Sequence, residues 1–338
     1  MRIALYDDPV FREHDSGRGH PERPQRVDAI AAHLASTGLA ARMIAIVPRD
    51  ATEEELVRVH TPELVAAVAD TAGGELQFDP DTHAGPRSYA AALRAAGAVT
   101  DAVDRVLDGA LDRAFCLCRP PGHHAEADRA MGFCFFNNVA VAAARALDRG
   151  LERVLVVDFD VHHGNGTQHM FEEDPRVLYV SSHAYPFYPG TGALDEVGRG
   201  PGEGFTVNLP LPDGMGDGDY ARIYREVVEP VGRAFRPELV LVSAGFDAYG
   251  GDPLAGMRLT AAGYAELMQV CLDCAEGARG VVVALEGGYD LDGLAVSSEA
   301  VVRCLLGETP PPVAHAERVG PLVEAYRRQH QRYWPALS

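Results

Sequence analysis

Residues 153–168 read RVLVVDFDVHHGNGTQ, an apolar run that ends in two aspartates and two adjacent histidines. A short run of valine and leucine is typical of a buried strand in a parallel sheet. Unpaired buried charge is costly, so polar side chains at the end of such a strand usually serve a metal ion or a hydrogen-bond network. The stretch therefore predicts a strand with a functional site at its carboxyl end.

Similar apolar runs alternate with alanine-rich helical stretches elsewhere in the chain. Examples are AFCLC (114–118), NNVAVAAARAL (137–147), ELVLVSAGFD (238–247) and GVVVALEGGYD (280–290). This order predicts an α/β fold, a three-layer α/β/α arrangement around a central, mostly parallel sheet. Since no repeat or low-complexity segment divides the chain, we expect a single domain over residues 1–338, with residues 308–338 forming a linker and a final helix that pack on it.

The composition is strongly acidic. With 30 basic and 49 acidic side chains, the formal net charge is −19, which argues against nucleic acid or a membrane surface as partner and favours a cationic substrate. An acidic surface that merely keeps the protein soluble is the alternative. The opening MRIALYDDPV lacks a signal-type apolar region, and the six cysteines suggest core residues rather than a disulfide framework. We expect a cytoplasmic protein, with a homo-oligomer left open.

Polar segments follow four of the predicted strands. They are PPGHHA (120–125), DFDVHHGNG (158–166), SAGFD (243–247) and EGGYD (286–290). The carboxyl ends of strands in an open α/β sheet border the crevice where ligands bind, so these four segments are expected to converge on one pocket.

Three residues in these segments form a candidate metal site. Asp160 and His162 are two residues apart, and alternation along a strand would point both side chains to the same face. Asp247 follows another strand and could supply a third ligand, leaving a position open for water or substrate as catalytic zinc sites do. An Asp-x-His pair alone is weak evidence; three ligand-type residues at neighbouring strand ends are stronger.

The same segments contain candidates for proton transfer. His123 and His124 suit general acid and base work, and Asp158 could orient one of them. Tyr289 could place a phenol where a carbonyl oxygen becomes negative. The simpler alternatives are a histidine pair in a surface turn and a tyrosine that packs on the core.

Seven motifs together resemble one family. They are GHPERPQR (19–26), RPPGHHA (119–125), GFCFFNN (132–138), VDFDVHHGNGTQ (157–168), PFYPGTG (186–192), SAGFDAYGGDPLAG (243–256) and LEGGYDL (285–291). In this order they resemble the histone deacetylase superfamily, which includes bacterial histone deacetylase-like amidohydrolases and acetylpolyamine amidohydrolases. The resemblance implies an arginase/deacetylase-like fold and a metal-dependent amidohydrolase that acts on linear amides.

The resemblance also implies a role for individual residues. One zinc ion per chain would be held by Asp160, His162 and Asp247, with Fe²⁺ left open because such a site is not strictly selective. The catalytic residues would be His123, His124, Tyr289 and Asp158, with Asn165 near His124 and Arg26 lining an internal cavity near the metal. The acyl-lysine tunnel would be lined by Gly132, Phe133, Tyr188 and Leu254, with Asp79 or Asp81 as the carboxylate at its rim. A structural K⁺ or Na⁺ would bind the backbone carbonyls of Asp158, Asp160, His162, Ser181 and Ser182.

The expected reaction is hydrolysis of the N-acetyl amide of a long primary amine, with acetyl-lysine in proteins or peptides as substrate. Asn165 and the LEGGY segment resemble the class II-like branch, and Leu254 stands where acetylpolyamine-selective relatives can carry glutamate. An acetylpolyamine or another small acylated amine remains the alternative substrate. His163 is expected to make only a structural hydrogen bond.

Two other functions compete with this interpretation. An arginase-like dimanganese enzyme needs a further aspartate two residues after the ligand histidine, where this chain has Gly164. A catalytically silent protein that binds acylated ligands or partners would usually have lost a metal ligand, a histidine of the pair or the tyrosine. None is lost here, so silent binding remains a minor alternative.

Overall fold

The computed structural model describes all 338 residues and is built around one large sheet. The strands are β1 (Ile3–Tyr6), β2 (Ile44–Ile46), β3 (Leu76–Asp79), β4 (Thr82–Ala84), β5 (Arg113–Cys116), β6 (Val154–Asp158), β7 (Val177–Ala184), β8 (Thr206–Leu211), β9 (Leu239–Ala244) and β10 (Val281–Leu285). Eight of them form the main sheet in the order β2-β1-β5-β10-β9-β6-β7-β8, and every pairing in it is parallel. The β3 and β4 strands form a separate antiparallel hairpin.

Helices connect most of the strands. They are α1 (Gln25–Ser36), α2 (Glu53–Leu56), α3 (Pro62–Ala69), α4 (Ser88–Leu107), α5 (Asn138–Asp148), α6 (Asn165–Phe171), α7 (Asp217–Ile223), α8 (Glu229–Phe235), α9 (Ala261–Cys274), α10 (Leu291–Leu305) and α11 (Gly320–His330). A π-helical turn, Tyr224–Val228, joins α7 to α8. Parallel strands need such crossover connections, which explains the alternation of apolar and alanine-rich runs in the sequence.

Alternate strand residues pack on opposite faces of the sheet. Leu155 and Val157 of β6 belong to a cluster of 53 buried residues that includes residues of α1 and of α7 to α11. Val154 and Val156 belong to a second cluster, of 29 buried residues, with α4, α5 and α6. Because both faces are covered, β6 is apolar at consecutive positions rather than at alternate ones. The predicted three-layer α/β/α architecture is confirmed.

The strand order determines where the polar segments meet. The β5, β10, β9 and β6 strands are neighbours at the centre of the sheet, and these are the strands that precede the four polar segments. Since all of them run in the same direction, their carboxyl ends lie along one edge, and the four segments converge as expected.

The C-terminal residues cover the free edge of β8. The hydroxyl of Tyr326 donates to the carbonyl of Pro210 at 2.7 Å, and the indole N–H of Trp334 donates to the carbonyl of Gly204 at 2.8 Å. His330 is buried between them, next to the backbone of Asn208. Tyr326 and His330 lie four residues apart on one face of α11, and Trp334 follows the end of that helix. The two donors satisfy one carbonyl of the edge strand and one just before it, and an uncovered edge strand would offer a template for another chain.

All six cysteines are buried and unpaired, in keeping with their expected role as core residues. The CLDC segment that ends at Cys274 lies in α9. None of the helices combines the length and the apolar character needed to cross a membrane.

Candidate active site

A narrow pocket opens above the carboxyl ends of the four central strands. Its volume is about 100 Å³, and its lining residues come from loops that are far apart in sequence. They are Asp81, Pro121, His123, His124, Gly132, Phe133, Asp160, His162, Tyr188, Leu254, Gly287 and Tyr289. The topology thus brings most of the predicted site residues to one place.

The candidate metal ligands lie at the floor of this pocket. One potential ligand atom from each of Asp160, His162 and Asp247 lies within 4.8 Å of the other two. Nδ1 of His162 is 3.1 Å from Oδ1 of Asp160 and 3.1 Å from Oδ2 of Asp247. The three side chains are therefore spaced as the ligands of a single ion would be.

The strand alternation invoked for Asp160 and His162 is wrong, because β6 ends at Asp158. Both residues lie in the following loop, where carboxylates accept backbone N–H groups two residues further on. Oδ1 of Asp158 accepts from the N–H of Asp160 at 3.1 Å, and Oδ1 of Asp160 accepts from the N–H of His162 at 2.9 Å. These local turns, rather than the pleat of a strand, give the two ligands a common direction.

The residues at the floor fit a divalent cation. Asp160 and Asp247 are completely buried, and neither forms an ion pair with an arginine. Burial and the negative charge of Asp160 raise the pKa of Asp247 above its usual range. Two adjacent buried carboxylates need a positive charge, and an Asp-His-Asp donor set is one that catalytic metal sites use.

A side chain at Gly287 is expected to abolish metal binding. A Cβ atom at this position would lie 2.2 Å from Oδ2 of Asp247 and 2.6 Å from Oδ2 of Asp160. Gly287→Ala should therefore displace both carboxylates, and the metal content per chain should fall well below one when measured by elemental analysis. Gly74→Ala, whose Cβ would meet only one atom at 3.8 Å, is the matched control. Full metal occupancy in Gly287→Ala would contradict this geometry.

The two histidines occupy distinct environments above the floor. Nδ1 of His123 lies 3.1 Å from Oδ2 of Asp158, and Nδ1 of His124 lies 2.8 Å from Oδ1 of Asn165. Burial alone lowers the pKa of His123, but the Asp160 and Asp158 carboxylates raise it to about 10. Burial lowers the pKa of His124 well below its usual value, and repulsion from His123 and His162 adds to this effect. The pair therefore combines a histidine that favours the charged form with one that stays neutral.

Tyr289 forms another part of the pocket wall. Its backbone N–H donates to Oδ2 of Asp252 at 2.6 Å, and its ring lies 5.0 Å from the guanidinium of Arg26. Arg26 is fully buried behind this wall rather than exposed in the pocket, and its Nε donates to the carbonyl of Gly288 at 2.6 Å. The arginine therefore fixes the turn that carries the tyrosine.

A buried carboxylate holds Arg26 in turn. Oε1 of Glu22 accepts from Arg26 at 3.0 Å and from Arg119 at 2.7 Å, and the three side chains are fully buried. Burial alone raises the pKa of Glu22, but the charges of Arg119 and the other neighbours lower it below its usual range. Glu22 is consequently ionised and neutralises part of the charge of two guanidinium groups.

Removing the charge of Glu22 is expected to destabilise the fold strongly. Glu22→Gln leaves both buried guanidinium groups without a counter-charge, which should cost about 3 to 5 kcal/mol in the free energy of unfolding at pH 7. The folded-state pKa is lowered, so this stabilisation is complete above the ordinary carboxyl pKa of about 4.3 and is lost as the pH falls below it.

Urea unfolding of both proteins at pH 7 and near pH 3, between the ordinary pKa and the lowered folded-state pKa, checks this expectation. The difference between them should shrink at the lower pH, and Glu54→Gln, at an exposed carboxylate that pairs only with Arg58, should change little. Equal stability of Glu22→Gln and the unaltered protein at pH 7 would rule out the proposed role of the charge.

Aromatic side chains form the upper walls of the pocket. Phe133 has a φ of +70°, and its N–H donates to Oγ1 of Thr82 at 3.0 Å. The ring of Tyr188 meets the ring of His124 edge-on at 5.0 Å. Gly132 is required here, because a Cβ atom would lie 2.6 Å from the ring of His124. Leu254 also lines the pocket.

The hairpin of β3 and β4 lies at the mouth of the pocket. Of the two candidate rim carboxylates, only Asp81 lines the pocket. Oδ1 of Asp79 accepts from the N–H of Asp81 at 2.8 Å, so Asp79 shapes the turn instead.

The remaining predicted residues lie around the floor. Ser181 and Ser182 are in β7, where their hydroxyls bond to the ring of His183 and the hydroxyl of Tyr224. Both ring nitrogens of His163 have partners, Thr191 and Gln168, so its side chain is fully used in a hydrogen-bond network away from the pocket.

Sequence reasoning missed several residues that support the site. Oε2 of the buried Glu286 accepts the backbone N–H groups of Gly122 at 2.6 Å and of His123 at 3.2 Å, and burial raises its pKa to about 7. Asp252 binds the N–H of Tyr289, and Phe187 stacks on the ring of His162 at 5.4 Å. The sequence contained a signal for Glu286 and Asp252, because a carboxylate in a buried glycine-rich segment needs backbone N–H donors.

A family model for the histone deacetylase domain matches residues 20–305. The crystal structure of the HDA15 HD domain is similar to this chain with a TM-score of 0.94 and 43% sequence identity, covering 99% of this chain and 96% of the other.

Several curated proteins are similar in sequence. Histone deacetylase 15 of Arabidopsis thaliana is 46% identical, and the match covers 94% of this chain and 59% of the relative. Polyamine deacetylase HDAC10 of Homo sapiens is 44% identical, over 99% of this chain and 51% of the relative. The chain thus spans little more than half the length of these two proteins. A probable deacetylase of Archaeoglobus fulgidus is 36% identical, and there the match covers 97% of both chains. Since the family model spans most of the chain and the archaeal protein matches it almost from end to end, the chain belongs to the histone deacetylase family.

Proposed function

We propose that the chain hydrolyses the N-acetyl amide of acetyl-lysine in proteins or peptides and releases acetate and a free primary amine. One observation carries this proposal: a narrow pocket ends at the Asp160, His162 and Asp247 triad, with a histidine pair on one wall and Tyr289 on another. An extended side chain that enters the pocket would bring its terminal amide to these groups.

One zinc ion per chain is proposed at the triad, with Fe²⁺ as the alternative. When bound, it lowers the pKa of a water molecule and polarises a carbonyl oxygen. The proposed structural K⁺ or Na⁺ would bind the backbone carbonyls of Asp158, Asp160, His162, Ser181 and Ser182.

The histidine pair supplies the proton transfers. Nδ1 of His124 faces Asn165, so its other ring nitrogen is directed to the pocket and can accept a proton from the attacking water. The same nitrogen then delivers that proton to the leaving amine. His123, paired with Asp158, remains charged beside it and stabilises negative charge that develops at the amide.

Tyr289 acts on the carbonyl side of the amide. Its hydroxyl donates a hydrogen bond to the carbonyl oxygen as negative charge develops there. Burial raises the pKa of this hydroxyl far above its usual value, so it stays protonated as a donor. The ring of Phe133, whose centroid lies 6.0 Å from that of Tyr289, and the ring of Tyr188 line the pocket, and the slot between these rings would take an alkyl chain.

Acetylpolyamines are the second candidate substrates. The similar human protein is named a polyamine deacetylase, and a net charge of −19 attracts amines that carry several positive charges. Asp81 lies at the mouth, where it can meet either a second ammonium group or a peptide N–H.

Acetate release by the metal-loaded protein separates these possibilities. An acetyl-lysine peptide, acetylputrescine and acetylspermidine are compared, with Asp247→Ala as the inactive control. Metal-dependent turnover of the peptide supports the proposal, and turnover of the polyamines alone favours the second candidate. No turnover with metal bound would overturn both and favour another acyl group or the silent binder.

We further propose that the chain acts as a single catalytic domain in the cytoplasm. Six unpaired buried cysteines fit a reducing compartment. The proposed alternative of a homo-oligomer is tested by measuring the mass of the protein in solution.

A further inference from the structure

A hydrogen-bonded chain of side chains runs from His124 to the protein surface. Nδ1 of His124 lies 2.8 Å from Oδ1 of Asn165, and Nδ2 of Asn165 donates to Oε1 of Glu126 at 2.5 Å. Both carboxylate oxygens of Glu126 are about 3 Å from Nδ1 of His169, at 2.9 and 3.1 Å. Glu126 is mostly buried with 13% of its side chain exposed, whereas His169 is 37% exposed.

The charge of Glu126, near the surface end of this series, determines the direction of each hydrogen bond between it and His124. Burial alone raises the pKa of Glu126, but the hydrogen bonds with His169 and Asn165 outweigh this effect and lower the pKa below its usual value. The carboxylate is therefore ionised and can only accept. The amide of Asn165 must therefore turn its NH₂ group towards Glu126. The carbonyl of His124, 3.2 Å from Nδ2, accepts the second amide hydrogen.

The amide oxygen of Asn165 consequently faces His124. Because this oxygen only accepts, the ring nitrogen Nδ1 of His124 must carry the proton, and Nε2 is left with a free lone pair on the pocket side. A neutral histidine with its proton on Nε2 could not accept a proton from water in the pocket.

We propose that Glu126 is a positioning residue that fixes the base-competent tautomer of His124 through the orientation of Asn165. The proposal rests on the proposed function only for its kinetic consequence; the tautomer itself is a property of the folded chain. It assigns a role to a residue that lies outside the pocket and touches neither metal nor substrate.

Replacing the acceptor at position 126 by a donor should reverse the direction of the hydrogen bonds that link this position to His124. In Glu126→Lys the ammonium group donates, so Asn165 is expected to turn its oxygen outwards and its NH₂ group towards His124, with loss of the hydrogen bond from Nδ2 to the His124 carbonyl. The proton of His124 then moves to Nε2. We expect kcat on an acetyl-lysine peptide to fall by about tenfold or more, since a general base contributes about 10² to 10⁴-fold, while KM changes little.

A second substitution should restore the original direction. An aspartate at position 165 accepts from both sides, so Glu126→Lys with Asn165→Asp should recover most of the lost kcat. Asn165→Asp alone places two carboxylates in contact and should be impaired. Recovery in the double variant of what each single variant loses marks a direct coupling between the two positions.

The controls address folding and surface charge. Glu173→Lys makes the same charge reversal at an exposed position just after α6, the helix that carries Asn165 and His169, and should leave kcat unchanged. Glu126→Gln, which can donate or accept, should loosen the tautomer and cause a smaller loss than Glu126→Lys. Metal content is measured for every variant, because a general structural defect would lower it.

The tautomer is read directly from ¹⁵N ring shifts in protein with labelled histidine, assigned with a His124→Gln variant. We expect protonation of Nδ1 in the unaltered protein, of Nε2 in Glu126→Lys, and of Nδ1 again in the double variant. This reading holds even if the unaltered protein proves inactive, so failure of the proposed function stays distinguishable. An unchanged tautomer in Glu126→Lys, or a double variant no more active than Glu126→Lys, would overturn the proposal.

Discussion

Tyr289→Phe is expected to lower the turnover of an acetylated substrate by about two to three orders of magnitude. A hydrogen-bond donor directed at a developing oxyanion typically contributes about 2.7 to 4 kcal/mol to the activation free energy. The ring itself should stay in place, because Phe133, Arg26 and the Asp252 carboxylate hold it without using the hydroxyl. The loss should therefore appear in kcat, with metal content and unfolding temperature close to those of the unaltered protein.

Tyr326→Phe provides a matched control for this experiment. It also removes a tyrosine hydroxyl, but one that bonds to the Pro210 carbonyl at the far edge of the sheet. We expect this variant to lose about 0.5 to 1.5 kcal/mol of stability and to keep the turnover of the unaltered protein. If Tyr289→Phe kept near-normal kcat, the hydroxyl could not be the donor to the carbonyl oxygen.

The sequence predicts the layers of the fold because both signals are local. Consecutive apolar residues in 154–157 indicate burial on both faces, and alanine-rich runs between strands indicate crossover helices. Strand order is not local information, and the placement of β10 between β5 and β9 becomes visible only in the structure. The contacts of Tyr326 and Trp334 at the β8 edge also could not be predicted from the sequence, since the groups they bind are backbone carbonyls that no sequence pattern marks.

The residues of the site likewise fall into those that the sequence reveals and those that only the structure shows. Side chains that carry chemistry, such as His162 and Asp247, stand out because their types are rare beside buried strands. The residues that position them do not. Glu286 and Gly122 are 164 residues apart, and their contact joins a side chain to a backbone N–H. Glu126 resembles an ordinary surface residue until its hydrogen bond to Asn165 is seen.

The metal site itself should make the protein less stable when it is empty. Asp160 and Asp247 are buried carboxylates placed side by side, and His162 is the one side chain that bonds to both. Asn in place of Asp247 would keep the hydrogen bond from the N–H of Val161 through its amide oxygen, while its uncharged NH₂ group would take the position of Oδ2 next to Nδ1 of His162 and remove one of the two adjacent negative charges. The like-charge conflict would then disappear.

Asp247→Asn is therefore expected to raise the unfolding temperature of the metal-free protein while it abolishes metal-dependent turnover. In the unaltered protein, zinc at a thousandfold excess over its Kd adds about 4.1 kcal/mol of stability, whereas the variant should gain almost none. The order of stabilities thus inverts between chelator and zinc: the variant is the more stable protein without metal, and the less stable one with it. Thermal unfolding of both proteins with EDTA and with zinc tests the inversion. A variant that is less stable in both conditions would show that Asp247 stabilises the metal-free fold through packing or hydrogen bonding. The repulsion between the two carboxylates would then not be a destabilisation that only a bound cation offsets.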